Sequence, residues 1–321
     1  MHRVLLRRLV QGLAVVAFAT TASFVLVHLA PGEPFAIDDP RITPEVRAQW
    51  MRQFGLDRPL GEQYLRYLGN VARGELGWSF SQHRPVAAAL GDAIPRTLLL
   101  MGTALVASLA AGIALGVWQA RRRRGMARRL VSGASLVAYA IPDFWMALLV
   151  LLTFSWWFPI LPAGGMVDPV MHDYLGAGGR ALDVLRHLVL PVGTMLLLNA
   201  SAIARYQHAA LADTLSQDYV RTARAKGLDE GRVVWRHALR NALLPVITIV
   251  GLSLPALVGG AVFVEKVFSW PGMGLLLVNA VGSRDYPLVT AGVIAGALMV
   301  TVGSLLADLL YLLADPRMRD G

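Results

Sequence analysis

Cysteine is absent from this chain, and lysine nearly so, with only Lys226 and Lys266 beside 28 arginines. Without cysteine there can be no disulfide, no thiolate metal site and no cysteine nucleophile. Charge is scarce too: 16% of the 321 residues are charged, whereas 55% are hydrophobic. The length would suit two soluble domains, but this composition would not. Several uncharged runs reach about 20 residues, the length that crosses ~30 Å of hydrocarbon. The composition therefore implies an integral membrane protein.

Signatures of catalysis are missing as well. A phosphate-cradling loop needs Gly-x4-Gly-Lys-Ser/Thr, but Lys226 precedes Gly227 and Lys266 precedes Val267. The seven histidines are dispersed, and no His-Glu-x-x-His or Gly-x-Ser-x-Gly occurs. The chain is expected not to be an enzyme, with no cofactor and no metal site of its own.

What is present is a series of apolar runs. Arg3, Arg7 and Arg8 precede Leu9–Ala30, which is too long for a signal-peptide core and reads as a retained anchor with His28 near its end. Residues 31–95 carry 7 Arg and 8 acids and no spanning run. Thr43-Pro44-Glu45 predicts a helix start, and a second short helix is expected over Gly61–Ala72, closed near Gly74. This stretch reads as a packing cap over the membrane bundle. Further spans are expected at Thr97–Trp118, at Val131–Phe158 around Pro142, and at Leu185–Ala204, broken or bent at Pro191. Two more are expected at Ala242–Val264, with Pro245 and Pro255, and at Pro287–Leu313. Residues 159–184 read as a loop, and Lys266–Asp285 as a short re-entry or turn. The domain division is then 1–95, 96–314 and a tail at 315–321.

The net charge of +9 is placed asymmetrically. Arg121–Arg129 holds six arginines in nine residues, which between two spans is a topology signal rather than a nucleic-acid site. Alternate connections and both termini together hold eighteen Lys and Arg, against three in the short loops opposite. Both termini are expected to be cytoplasmic in a multi-pass protein of the inner membrane, in contact with its lipid.

Ionisable groups at membrane depth are costly and so draw attention. Asp143 follows Pro142 inside the third span, where it either faces a translocation path or bonds a neighbouring hydroxyl. Asn199 in the fourth span is a second path candidate, and it also suits helix–helix contact, as do Gly292 and Gly296. Glu265 and Asp308 fall near span ends, where water or partner helices can satisfy them.

The segment from Tyr219 to Pro245, YVRTARAKGLDEGRVVWRHALRNALLP, organises the rest. Asp218 can cap a helix over Tyr219–Lys226, Gly227 can end it left-handed, and Asp229 can cap a second helix up to Leu244 and Pro245. Seven Lys and Arg between Arg205 and Arg240 mark it as a basic docking knob. It resembles the cytoplasmic coupling loop, or EAA loop, of ATP-binding cassette importer permeases. Thr222 and Ala223 stand at the motif's two alanines and Gly227 at its glycine. Arg221 replaces the motif's Glu, and Leu239-Arg240 its Leu-Pro, as in the dipeptide/oligopeptide/nickel branch. The likeness extends to FGLDRPLGEQYLRYLGN, VEKVFSWPGMG, RDYPLV and the C-terminal end.

This resemblance implies an all-α permease of six transmembrane helices of the type I importer kind. An external helical segment would lie between helices 1 and 2, and a coupling loop at 205–241. It implies that Tyr219, Arg221, Thr222, Ala223, Ala225, Lys226, Gly227 and Leu228 meet an ATPase, which carries ATP and magnesium. Glu265 and Trp270 fall in a turn that resembles an external gate or docking rim. The implied partners are a second permease subunit in a heterodimer, two ATPases and an external solute-binding protein, with no nucleic acid. Peptides are the implied substrate, with nickel or another small solute as the alternative. Two readings from other classes stay open: a self-sufficient secondary transporter or channel, and a membrane anchor presenting residues 31–95.

Overall fold

The computed structural model describes residues 2–29, 57–122, 125–253 and 261–314. The expected helix start at Thr43-Pro44-Glu45, Pro255 and the tail at 315–321 lie outside these residues, as does the side chain of Asp308.

Helix α1 is His2–Leu29. Helix α2, Leu60–Ala72, ends where Gly74 turns left-handed at φ 77° and Glu75 N–H donates to Asn70 O. It docks on the end of α1: the Thr21 and Tyr64 hydroxyls lie 2.8 Å apart, Phe24 packs on Tyr64 and Tyr67, and His28 Nε2 meets Gln63 Oε1. A two-stranded hairpin, Trp78–Ser79 with Arg84–Pro85, leads into α3, Val86–Arg121. This helix begins eleven residues ahead of the expected Thr97, because Val86, Ala89, Leu90 and Ala93 make an apolar stripe that packs on Met273, Ala280 and Leu288. Asp92, Pro95 and Arg96 hide that stripe from a search for uncharged runs.

The third apolar run is not one straight helix. Helix α4, Met126–Ala140, and α5, Asp143–Leu151, which continues π-helically over Leu152–Trp157, meet at a 109° bend. Ile141 is extended, the conformation imposed on a residue before proline, and Pro142 starts the new helix without a donor.

The fourth run is the reverse case. Helix α6, Ala177–Leu215, passes through Pro191 without ending. Pro191 is buried, as are Leu188 and Met195 on the same helix, and burial of this face offsets the single backbone bond it removes.

After α6 come α7, Asp218–Ala225, and α8, made of Glu230–Arg232, a π-helical stretch Val233–Ala238 and Leu239–Ala242. Helix α9, Leu244–Ser253, departs from α8 at 43°. The expected re-entry or turn over Lys266–Asp285 contains a short helix: α10 is Val262–Val267, α11 is Met273–Gly282, and α12, Tyr286–Ala314, follows. Four helices are long and apolar enough to cross a membrane singly, and six spans result if each bent pair counts as one.

Two long helices, α3 and α6, join the ends of the bundle. A Cβ at Gly112 would lie 2.6 Å from Ile203 Cβ, and one at Gly116 would lie 2.8 Å from the Ala204 carbonyl oxygen. The close crossing thus uses Gly112-x3-Gly116, not the expected pair in α12. Gly292 does approach Leu277, but a Cβ at Gly296 would meet nothing within 4 Å.

Candidate functional site

At one end of the bundle the chain folds into an elbow. Helix α7 starts at Gln217, which makes no side-chain cap. Asp218 therefore does not cap: it is the first helical residue, and its exposed carboxylate takes a 3.3 Å contact from Arg221. An acid in the first turn still faces the positive helix end. The helix closes at Ala225, and Gly227 turns at φ 75°. A Cβ there would meet nothing within 4 Å, so glycine is needed for its conformation and not for space. Asp229 does cap α8, accepting from the Gly231 N–H at 2.9 Å.

Burial splits the elbow residues into two sets. Val220 and Ala223 face inward and share a core with Val117 of α3, Leu211 of α6, and Val233, Val234, Ala238, Leu239 and Ala242 of α8. Each fully buried valine contributes about 1.5–3 kcal/mol, so the elbow is fastened to both long helices. Tyr219, Arg221, Thr222, Ala225, Lys226 and Gly227 are exposed, and Leu228 is half-buried. Ala223 is thus a packing residue rather than a contact surface. The Tyr219 hydroxyl accepts from Asn241 Nδ2 at 2.9 Å, tying the face of α7 to α8.

Three buried carboxylates organise the opposite end. Glu265 is wholly buried; it accepts from Thr97 Oγ1 at 2.8 Å and from the Leu275 N–H at 3.0 Å. Of the two expected sources, water or partner helices, it is a partner helix, α3, together with the first turn of α11 that supplies these donors. Trp270 is equally buried and donates to the Arg96 carbonyl at 2.9 Å, so this turn is stapled twice to α3. Asp285 accepts from Ser79 Oγ, Ser81 Oγ, the Ser81 N–H and the Leu288 N–H, holding the hairpin against the start of α12. Asp183 meets His172 Nδ1 at 2.7 Å and His187 Nδ1 at 3.2 Å, and accepts from the Asp168 N–H, anchoring the loop before α6. That loop in turn reaches the stapled turn, where Gly165 N–H donates to Phe268 O at 2.8 Å.

Between the two ends, the bend before α5 leaves Asp143 in the first helical turn, exposed. Among the described residues its carboxylate has no hydrogen-bond or ion-pair partner, so the neighbouring hydroxyl expected as one alternative is not found among them. Asn199 is likewise exposed on α6, so it makes no buried contact between helices of this chain.

Comparison with known proteins meets this architecture along the whole chain. Residues 112–320 match the family described as binding-protein-dependent transport system inner membrane component, and residues 1–101 match that family's N-terminal region. The chain belongs to this family. Its relatives include the oligopeptide transport system permease protein AppB of Bacillus subtilis, 38% identical over 316 residues, with 98% of each chain covered. The di/tripeptide transport system permease protein DppB of Pseudomonas aeruginosa is 38% identical over 317 residues, with 94% of each covered. The dipeptide transport system permease protein DppB of Escherichia coli is 36% identical over 338 residues, with 99% of each covered. The protein is therefore a multi-pass inner-membrane permease, a component of an ATP-binding cassette transporter.

Several residues that shape this permease escape sequence reasoning. Arg224 makes a two-point bond to Glu230, with Nε–Oε2 at 3.0 Å and Nη2–Oε1 at 2.7 Å, closing the elbow across Gly227. The neighbouring Glu230 carboxylate holds the Arg224 guanidinium above its usual range. Only opposite charges six apart around a glycine hint at this pair. For Asp285 the available signal is an acid two residues before Pro287, the pattern of a helix start. The Asp183 cluster has no such signal, because its partners come together only in the fold.

Proposed function

We propose that this chain is one of two permease subunits of an ATP-driven importer that carries peptides across the cytoplasmic membrane. Its relatives' names supply the substrate class, and the elbow supplies the means of drive. The observation that carries the reading is the exposed face of α7, from Tyr219 to Gly227, on a base packed into both α3 and α6.

In this reading both termini and the elbow lie in the cytoplasm. Two separate ATPases hold ATP and magnesium, and one of them grips the elbow. Displacement of the elbow passes through the shared core to α3 and α6, whose close crossing at Gly112 and Gly116 makes them move together. The opposite end, braced by Glu265, Asp285 and Asp183, forms the outer rim on which a solute-binding protein releases its cargo. Asp143 and Asn199 line the path, and the unpartnered Asp143 carboxylate attracts the peptide's ammonium end.

Uptake of labelled dipeptides by vesicles holding the assembled transporter tests this. We expect uptake only with both ATPases and ATP present, and a lower rate for cationic peptides in Asp143→Asn. Transport by this chain without an ATPase, or accumulation of nickel but not of peptides, would overturn the reading.

A further inference from the structure

Helix α8 shows a second exposed surface, separate from the Tyr219–Gly227 face of α7. Arg232, Arg236 and Arg240 recur every four residues along α8, and all three are exposed. Trp235 stands among them, 57% exposed. Val233, Val234, Ala238, Leu239 and Ala242 occupy the inward side, in the core shared with α3 and α6. Both acids at the start of α8 are already engaged, Asp229 with the Gly231 N–H and Glu230 with Arg224. Among the described residues the three arginines have no carboxylate partner.

The setting of this stripe indicates its occupant. Helix α8 bends by 43° into α9, whose sequence is apolar and on which Leu244, Pro245 and Thr248 are exposed, Leu244 and Thr248 continuing the spacing of Arg240 by four and eight. An apolar helix thus runs into the exposed guanidinium groups at the bend. Exposed tryptophan with arginine, on a helix buried on its other side, is the composition of a segment lying at the level of lipid headgroups. Guanidinium groups bond phosphate oxygens with two parallel N–H donors, so the chemistry suits a phosphodiester.

We propose that Arg232, Trp235, Arg236 and Arg240 bind anionic phospholipid headgroups of the cytoplasmic leaflet, seating α8 at the membrane surface beside the coupling elbow. This rests on the elbow being cytoplasmic, as in the importer reading above. A lipid so held would fix the hinge between α8 and α9, and with it the base on which α7 rides.

The assembled transporter, purified in detergent, is titrated with phosphatidylglycerol and bound lipid is counted by native mass spectrometry. Replacing all three arginines with glutamine should weaken retention by roughly fivefold per charge removed. Trp235→Ala should weaken it further, and excess inorganic phosphate should not displace the lipid. In vesicles of equal parts phosphatidylcholine and phosphatidylglycerol, ATP-driven uptake should exceed that in phosphatidylcholine alone for the wild type, and the triple variant should lose this difference. Equal phosphatidylglycerol retention by wild type and triple variant overturns the proposal. So does loss of ATPase subunits from the triple variant during purification, which would make the stripe a protein contact. The lipid count does not depend on transport, so failure of the importer reading would leave it standing as a separate result.

Discussion

Glu265 illustrates how much a single side chain can hold in this permease. Its two oxygens take donors from α3 and from the 268–275 turn, and a Cβ at Gly272 or Gly274 would lie within 3 Å of the same carboxylate. Ser269 next to it adopts φ 49°, a conformation costing a residue with a side chain about 1–2 kcal/mol. Burial of Trp270 offsets that cost. Glu265→Ala strands the donors of Thr97 and Leu275 at about 1–3 kcal/mol each, so the melting temperature in detergent should drop clearly. Glu265→Gln keeps one acceptor oxygen and should lose less. An unchanged melting temperature for the alanine variant would count against a bracing role. The Glu-x4-Trp-Pro-Gly spacing marked the turn as special, but its burial was invisible because Thr97 lies 168 residues away in sequence.

At the scale of elements the elbow is the informative case. Gly227 and the Asp229 cap were legible, because a left-handed stop and an Asx cap are local events decided within three or four residues. Gly227→Pro cannot reach φ 75°, so ATP-linked uptake should fall to background while membrane insertion persists. Gly227→Ala meets no obstacle in space and should keep partial uptake, at a backbone cost of about 1–2 kcal/mol. Normal uptake by the proline variant would remove the elbow from the coupling mechanism. Arg224 and Glu230 are half-exposed, and pairs of this kind couple by only about 0.2–1 kcal/mol in a double-mutant cycle. Arg224→Gln should therefore barely change unfolding, yet slow transport by freeing α7 from α8. A large loss of stability would mean that the pair is structural instead. The third and fourth runs could not be told apart by their prolines: Pro142 marks a 109° bend, whereas Pro191 sits inside a continuous helix. Surrounding packing, not the proline, made that difference.

For the whole molecule, α3 and α6 are the connection between the elbow end and the braced end. Their seam closes on glycines, so a side chain there must push the helices apart. Gly116→Leu would place its Cβ under 3 Å from Gln207 and from the Ala204 carbonyl oxygen. Overpacking of this kind costs about 1–3 kcal/mol, and both melting temperature and peptide uptake should fall. At Gly296 in α12 a Cβ would meet nothing within 4 Å, so Gly296→Leu serves as the control that should leave both unchanged. If the two variants behaved alike, the seam would have no part in transmission.

Composition alone determined that the chain lives in a membrane, because hydrocarbon admits only long uncharged helices. Local chemistry, a glycine, a cap and a basic run, located the elbow on the same grounds. The tertiary structure decided which of these residues face outward. Ala223 turned inward and Tyr219 outward, Glu265 was buried, and Asp143 was left exposed. Those outcomes depend on neighbours distant in the chain, 168 residues for Glu265 and Thr97, and no local spacing encodes which helix will arrive to cover a given face.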